Sequence, residues 1–147
     1  QKLINLIQYI TAKYKLVFPI HPRTVKNLEK HGLHEEIKHN KNLILSEPLD
    51  YFAFQKLVKH SLLIVTDSGG IQEESTFLRI PCLTLRPNTE RPVTVTVGTN
   101  ELIPFDEKII EDRITKIEKG QGKKGKIPPM WDGKATERIV KIISEIL

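Results

Sequence analysis

Cysteine and long apolar runs are nearly missing from this sequence. A single cysteine, Cys82, occurs in 147 residues, so no internal disulfide can form, and the reducing cytoplasm is the expected compartment. No stretch of 18 apolar residues is present and no secretory signal pattern precedes the first helix, so no membrane association is predicted. Cys82 follows Pro81 in an apolar run, which predicts a buried side chain rather than a nucleophile.

Signals for a metal, a cofactor or a nucleic acid are also missing. Most of the histidines lack the spacing that metal ligands need, and we expect them at the surface: His31, His34, His39 and His60. The lysines at 123, 124 and 126 have no aromatic residues among them, which predicts a solvated loop and no nucleic-acid partner. The net charge of +5 nevertheless suits a smaller anionic partner.

Short β-prone runs alternate with segments of helical periodicity along the whole chain. Strands are predicted at residues 15–20, 42–46, 62–66, 81–85 and 101–103, and helices fill most of the intervals between them. Residues 86–99 contain proline and little periodicity, so we expect a loop there. This alternation predicts an α/β fold in which helices flank a parallel sheet.

The strand predicted at 62–66 leads into Asp67-Ser68-Gly69-Gly70, at the sheet edge where such folds bind ligands. Adjacent glycines let a ligand approach the backbone, and the start of the following helix favours an anion. One turn later, Glu74 is placed to accept hydrogen bonds from ribose hydroxyls. The alternative is a plain strand–turn–helix junction in which Ser68 caps the helix.

Four other side chains are candidates on position alone. Arg86 and Arg91 follow the next strand, where a guanidinium can bind phosphate through two hydrogen bonds or simply be solvated. His21 follows the first strand and is either an acid or phosphate ligand, or a cap for the helix that begins at Pro22. Phe54 lies on a helix after the second strand, where it either stacks on a base or packs in the core.

Several blocks of the sequence together resemble the non-hydrolysing UDP-N-acetylglucosamine 2-epimerases. They fall in the family's order across nearly the whole chain: Glu47-Pro48-Leu49-Asp50, Thr66-Asp67-Ser68-Gly69-Gly70-Ile71-Gln72-Glu73-Glu74, Thr89-Glu90-Arg91-Pro92, Gly98-Thr99, and Asp132 to Ile139. Two positions depart from the pattern of many bacterial members. Pro22 follows His21 where they carry Asn-Pro, and Val93 stands where they carry an acid, so the sugar substrate stays open.

The resemblance implies a Rossmann-like domain, the second of a two-domain, glycosyltransferase-B-like fold. Residues 1–147 would then be a single, partial UDP-binding domain, with the N-terminal domain absent from this chain. The final helix of such a domain often packs on the first domain, so the apolar stripe from Ile139 to Ile146 is expected to be partly exposed. The family pattern assigns the following roles: Ser68, Gly69 and Gly70 to the diphosphate, Glu74 to the ribose, Phe54 to the uracil, Arg91 to the phosphates, and His21 to the reaction.

The implied enzyme is an isomerase that interconverts UDP-N-acetylglucosamine and UDP-N-acetylmannosamine by eliminating UDP and adding it back. It needs no cofactor or metal, forms a homodimer when full length, and serves polysaccharide biosynthesis in the cytoplasm. Because the proton-transferring carboxylates belong to the family's first domain, this chain alone is expected to be inactive. Three alternatives stay open: a hydrolysing epimerase that releases N-acetylmannosamine, one half of a glycosyltransferase, and a nucleotide-sugar-binding module without chemistry.

Overall fold

The structure is a computed structural model that describes all residues from 1 to 147, and it divides into two compact units, Gln1–Phe54 and Gln55–Leu147. The first unit contains two parallel strands and four helices, the last of which crosses the boundary. In chain order they are α1 (Lys2–Thr11), β1 (Leu16–Pro19), α2 (Pro22–Lys30), α3 (His34–Lys38), β2 (Leu43–Ser46) and α4 (Tyr51–Lys59). The prediction of one domain over the whole chain stays a prediction.

The first unit is built around a small apolar core. Its buried residues are Ile4 and Ile7 of α1, Ile20 after β1, Leu28 of α2 and Ile37 of α3. The strands pair in parallel from Leu16 beside Leu43 to Pro19 beside Ser46. This pairing brings the carboxyl ends of both strands to one edge of the sheet, and His21 follows β1 at that edge.

The second unit holds a three-stranded parallel sheet in which the strands lie side by side in chain order. Its further elements are β3 (Ile64–Thr66), α5 (Gly69–Leu78), β4 (Cys82–Thr84), α6 (Pro92–Thr96), β5 (Asn100–Leu102), α7 (Glu107–Glu118) and α8 (Ala135–Ile146). Ile64 pairs with Cys82, which in turn pairs with Asn100. The segments that follow β3 and β4 therefore leave from the same edge of the sheet.

Polar side chains make up much of the interior of the second unit. The buried apolar residues are Val58, Cys82, Leu83, Ile103, Ile110 and Ile114, and they share the interior with Gln72, Ser75, Thr76, Thr84, Thr94, Thr99 and Asn100. Cys82 is fully buried, as expected, and burial raises the pKa of its thiol above the ordinary value. A buried polar group is costly without a hydrogen-bond partner, so this interior demands a defined arrangement.

A close backbone approach accounts for one glycine of the sequence pattern. A Cβ placed on Gly98 would collide with the side chain of Thr76 and lie 2.6 Å from the carbonyl oxygen of Thr94. Gly98 therefore lets α5 pack closely against the turn after α6. We conclude that Gly98 is required by packing.

The final helix is an exception, because none of its side chains is buried. Its apolar stripe is half-exposed or more, from 50% at Ile143 to 77% at Ile146, as expected. None of the eight helices combines the length and the apolar content needed to cross a bilayer.

The observed elements confirm the predicted α/β class with parallel strands, and two short helices were missed. Helix α3 begins two residues after Gly32, whose φ of +69° confirms the left-handed turn expected at the end of α2. Helix α6 lies inside the segment predicted to be a loop, and Pro92 occupies its first turn, where a missing N–H is tolerated. Four of its five residues are β-branched, which weakened the helical signal.

The first unit's core yields a stability prediction. Ile4 is fully buried in it, so Ile4→Ala should lower the free energy of unfolding by about 2–4 kcal/mol through lost burial and the cavity left behind. The matched change Ile142→Ala on α8, where the side chain is 56% exposed, should cost less than about 0.5 kcal/mol. Urea unfolding followed by circular dichroism measures both, and equal losses would contradict the described core.

Candidate functional site

The start of α5 is an uncapped helix N-terminus. Ser68 occupies the N-cap position, but its exposed hydroxyl makes no capping hydrogen bond. The backbone N–H of Ser68 is bonded to Thr66 Oγ1 at 3.0 Å. The first N–H groups of a helix have no partner within the helix, so those of α5 remain available to an anion from outside.

Gly69 and Gly70 form the first turn of α5, and nothing in the chain itself requires glycine there. Neither has a positive φ, and a Cβ on Gly70 would meet no atom within 4 Å. A Cβ on Gly69 would meet only Glu90 Oε2, at an ordinary 3.8 Å. Because glycine inside a helix costs about 1 kcal/mol relative to alanine, two unneeded glycines indicate that something else must approach this backbone.

Glu74 lies on the second turn of α5 and its carboxylate has no partner. It is half-buried, and it makes no hydrogen bond or ion pair within the chain. Its neighbour Glu73, in contrast, forms an ion pair with Arg91. An unpaired, half-buried carboxylate on a helix that begins with free N–H groups can accept hydrogen bonds from a hydroxylated ligand.

The loop after β4 contacts α5, in keeping with the pairing of β3 and β4 as neighbouring strands. Arg91 Nε lies 3.0 Å from Glu73 Oε2, with both side chains nearly half exposed. Arg86 lies on the same loop, and its Nη2 is 3.7 Å from Glu90 Oε1. Arg91 is therefore beside the helix whose N-terminus is uncapped, whereas Arg86 is engaged within its own loop.

A chain of hydrogen bonds ties this loop to the start of α5. The fully buried Gln72 donates from Nε2 to the carbonyl of Ser68 at 3.2 Å, and its Oε1 accepts from the Thr89 hydroxyl at 2.6 Å. Thr89 Oγ1 in turn accepts from the backbone N–H of Arg91 at 3.0 Å. The backbone of Arg91 is thus held in register with the residue that precedes the α5 N-terminus.

Asn100, the first residue of β5, anchors that chain in the sheet. Its Nδ2 donates to Gln72 Oε1 at 3.0 Å and to Thr94 Oγ1 at 3.1 Å, and its Oδ1 accepts from the Thr84 hydroxyl at 2.6 Å. Thr94 passes the connection on by donating to the carbonyl of Arg91 at 2.7 Å. The buried network of Gln72, Thr84, Thr94 and Asn100 therefore fixes both ends of the Arg91 backbone.

Sequence reasoning did not identify this network. Its one local signal was the polar Thr84 inside the strand predicted at 81–85, because Asn100 lay just before the strand predicted at 101–103. The partner of Asn100 lies 28 residues earlier in the chain, and no local pattern connects the two.

His21 and Phe54 belong to the other compact unit. His21 is exposed at the N-cap of α2, where its Nδ1 accepts the N–H of Arg23 at 3.2 Å. It therefore caps the helix, and its role in the reaction stays a prediction. With Nδ1 as acceptor, the neutral ring carries its proton on Nε2, and Nε2 is free to donate to a ligand. Phe54 is half-buried on α4, a helix whose first turn is capped by Asp50.

One concavity of the second unit contains none of the predicted site residues. It measures about 240 Å³ and is lined by Glu101, Arg113, Lys116, Gln121, Gly122 and Lys123. Its cations are already engaged, since Lys123 donates to the carbonyls of Val95 and Asn100 while carboxylates pair with Arg113 and Lys116. Burial lowers the pKa of Lys123, in keeping with its role as a tie between α6 and β5. No group of three or more metal-ligating side chains occurs in the chain.

Comparison with known families gives one match that covers nearly the whole chain. The family model described as UDP-N-acetylglucosamine 2-epimerase matches residues 1–144. A UDP-N-acetylglucosamine 2-epimerase from Methanocaldococcus jannaschii is 45% identical over 130 residues, which are 88% of this chain and 35% of that protein. One from Escherichia coli K12 is 35% identical, again over 88% of this chain and 35% of the relative.

Solved structures of such proteins have the same fold. The M. jannaschii UDP-N-acetylglucosamine 2-epimerase superimposes with a TM-score of 0.80 at 40% identity, over 98% of this chain and 40% of that one. A second structure of that enzyme, in complex with UDP-N-acetylglucosamine and UDP, gives 0.76 at 41% identity over 98% and 39%. The chain therefore spans about two-fifths of the length of these relatives, and the predicted Rossmann-like, glycosyltransferase-B-like α/β fold is confirmed.

The buried network predicts the effect of a change at Asn100. Asn100→Leu would remove the buried acceptor of the Thr84 hydroxyl and one of the two donors to Gln72 Oε1, so the free energy of unfolding should fall by about 2–4 kcal/mol. Asn88→Leu is the matched control, because Asn88 is exposed and makes no hydrogen bond, and should change it by less than about 0.5 kcal/mol. Urea unfolding of both variants is the measurement, and a loss at Asn100 no larger than the control would contradict the network.

Proposed function

The chain belongs to the UDP-N-acetylglucosamine 2-epimerase family, and from that membership we propose that it is the part of such an enzyme that binds the UDP of a nucleotide sugar. The single observation that carries this proposal is the uncapped, glycine-initiated N-terminus of α5, which offers free N–H groups and open space to an anion. A diphosphate has the charge and the acceptor oxygens that such a helix terminus binds.

The diphosphate would lie on the first turn of α5. Ser68 would contribute its unused hydroxyl, and Gly69 and Gly70 their N–H groups, approached without obstruction from a side chain. Arg91, held beside α5 by its pair with Glu73, would supply the positive charge. These groups also suit the reaction, because they stabilise negative charge that builds up on a departing UDP.

The nucleoside would be recognised by two further side chains. The unpaired carboxylate of Glu74 would accept hydrogen bonds from the ribose hydroxyls, which explains why a half-buried acid is left without a partner in the chain. The aromatic ring of Phe54 would stack on the uracil. Ribose contacts of this kind distinguish a nucleotide from free diphosphate.

His21 would act on the substrate through the ring nitrogen that its capping role leaves free. Because Nδ1 accepts the Arg23 N–H, Nε2 is the donor, suited to a hydrogen bond or a proton delivered to the substrate. The resemblance places the proton-transferring carboxylates outside the chain, so the chain alone should bind UDP without isomerising the sugar.

For the whole enzyme we propose the reversible conversion of UDP-N-acetylglucosamine to UDP-N-acetylmannosamine, by elimination of UDP and re-addition with inversion at C2. It would act in the cytoplasm as a homodimer and supply polysaccharide biosynthesis, and the unpaired, buried Cys82 fits a reducing compartment. Product analysis with the full-length enzyme separates this reaction from its alternatives. Free N-acetylmannosamine would indicate a hydrolase, and transfer to an acceptor would indicate a glycosyltransferase.

Gly70→Ala tests the location of the diphosphate. The added methyl group meets no atom within 4 Å, and alanine favours a helix more than glycine does. The free energy of unfolding should therefore rise slightly, by at most about 1 kcal/mol. The same methyl group would push the diphosphate from the helix N-terminus, so UDP affinity measured by calorimetric titration should fall at least about tenfold, since each hydrogen bond to a charged group contributes about 1.5–3 kcal/mol. Unchanged UDP affinity in the variant would refute this placement.

A pair of carboxylate variants controls for charge in the same titration. Glu74→Gln and Glu111→Gln change the net charge equally, but only Glu74 is assigned to the ribose, while Glu111 is exposed on α7 without a partner. UDP binding should therefore weaken in Glu74→Gln alone. Equal behaviour of the two variants would remove Glu74 from the site.

A further inference from the structure

We propose that Glu73 is a positioning residue, which holds the guanidinium of Arg91 in the orientation that binds the diphosphate. This inference rests on the proposed function, since it concerns how the same site is organised before the nucleotide arrives. Its basis is the ion pair between Glu73 Oε2 and Arg91 Nε at 3.0 Å, which joins α5 to the loop after β4.

The ion pair uses one side of the guanidinium and leaves the other free. The carboxylate is closest to Nε, and neither Nη1 nor Nη2 of Arg91 makes a hydrogen bond within the chain. A guanidinium donates in a planar fork, so two parallel hydrogen bonds to one phosphate group need only its two terminal nitrogens. Glu73 therefore fixes the plane of the fork without occupying the donors that a phosphate requires.

The backbone of Arg91 is fixed independently by the residue next to Glu73. Gln72 reaches the Arg91 N–H through the Thr89 hydroxyl, at 2.6 Å and 3.0 Å, and reaches the Ser68 carbonyl directly at 3.2 Å. Consecutive residues of α5 thus hold the main chain and the side chain of one arginine. The hydrogen bonds of Gln72 and the ion pair of Glu73 both come from α5, whose first N–H groups are proposed to bind the same diphosphate.

The ion pair itself contributes little to folding, so its value lies in orientation. Arg91 and Glu73 are 46% and 40% exposed, and pairs of this kind are weakened by solvent screening. An arginine that is already immobilised loses less side-chain freedom when a ligand binds than a freely rotating one does. Removal of the Glu73 carboxylate should therefore leave the fold intact and lower the affinity for the ligand.

The direction of the effect separates positioning from simple electrostatics. A carboxylate near a diphosphate repels it, so on charge alone Glu73→Gln would tighten UDP binding. If Glu73 positions Arg91, the same substitution should weaken UDP binding about two- to tenfold, the entropic cost of ordering a free arginine. The two explanations therefore predict changes of opposite sign in the UDP affinity of the same variant.

The test is calorimetric titration of the full 147-residue chain with UDP and with uridine. Glu73→Gln should weaken UDP about two- to tenfold and leave uridine unchanged, because uridine lacks the phosphates that Arg91 would bind. Glu111→Gln controls for net charge and should leave UDP affinity at the wild-type value. Thermal unfolding should show the same midpoint for Glu73→Gln as for the wild type.

A double-mutant cycle completes the test. In an Arg91→Ala background the carboxylate has nothing to orient, so Glu73→Gln should no longer weaken UDP and should tighten it slightly. The positioning role would be overturned if the wild-type chain binds UDP and Glu73→Gln binds it equally well or more tightly. It would also be overturned if Glu73→Gln weakened the binding of UDP and of uridine equally. Either result would leave the proposed function intact. A folded wild-type chain that binds no UDP would overturn the proposed function and this inference with it.

Discussion

The hydrogen bond between the buried side-chain amides of Gln72 and Asn100 is the constraint from which the candidate site follows. Its 3.0 Å contact joins α5 to β5, and each amide extends it, Gln72 to Thr89 and Asn100 to Thr84. An unpaired amide in such an interior costs more than a typical hydrogen bond contributes, so the network tolerates few alternative arrangements. The loop that carries Arg91 is consequently held against α5 by interior chemistry, although the loop itself lies at the surface.

Outside the network the same unit leaves polar groups unused. The α5 N-terminus has no side-chain cap, its first two residues are glycines that the chain does not need, and Glu74 has no partner. Each of these features weakens the free protein, by about 1 kcal/mol for a helical glycine or a missing cap. They occur together at the carboxyl edge of a parallel sheet, where ligands bind in such folds, and a bound nucleotide diphosphate would satisfy all of them.

Periodicity and turn residues in the sequence were enough to predict the parallel strands, because an apolar run such as 62–66 favours a strand whatever lies around it. They did not predict that the strands form a two-stranded and a three-stranded sheet. They also placed Ser68, Gly69 and Gly70 at the start of a helix, as observed. What they could not supply was long-range pairing: Arg91 with Glu73 and Asn100 with Gln72 depend on how distant segments pack. The short helix α6 was missed because its valines and threonines favour strands, and tertiary contacts overrode that preference.

The central claim is that the first turn of α5 binds the diphosphate, and amide chemical shifts of the isotopically labelled chain test it most directly. Addition of UDP should move the N–H resonances of Gly69 and Gly70 strongly, because a phosphate oxygen accepting from an amide shifts its proton. The amide of Gly133, a glycine remote in sequence and exposed in a turn before α8, should not move. Saturable binding of UDP with no shift at Gly69 and Gly70 would place the nucleotide elsewhere and contradict the account.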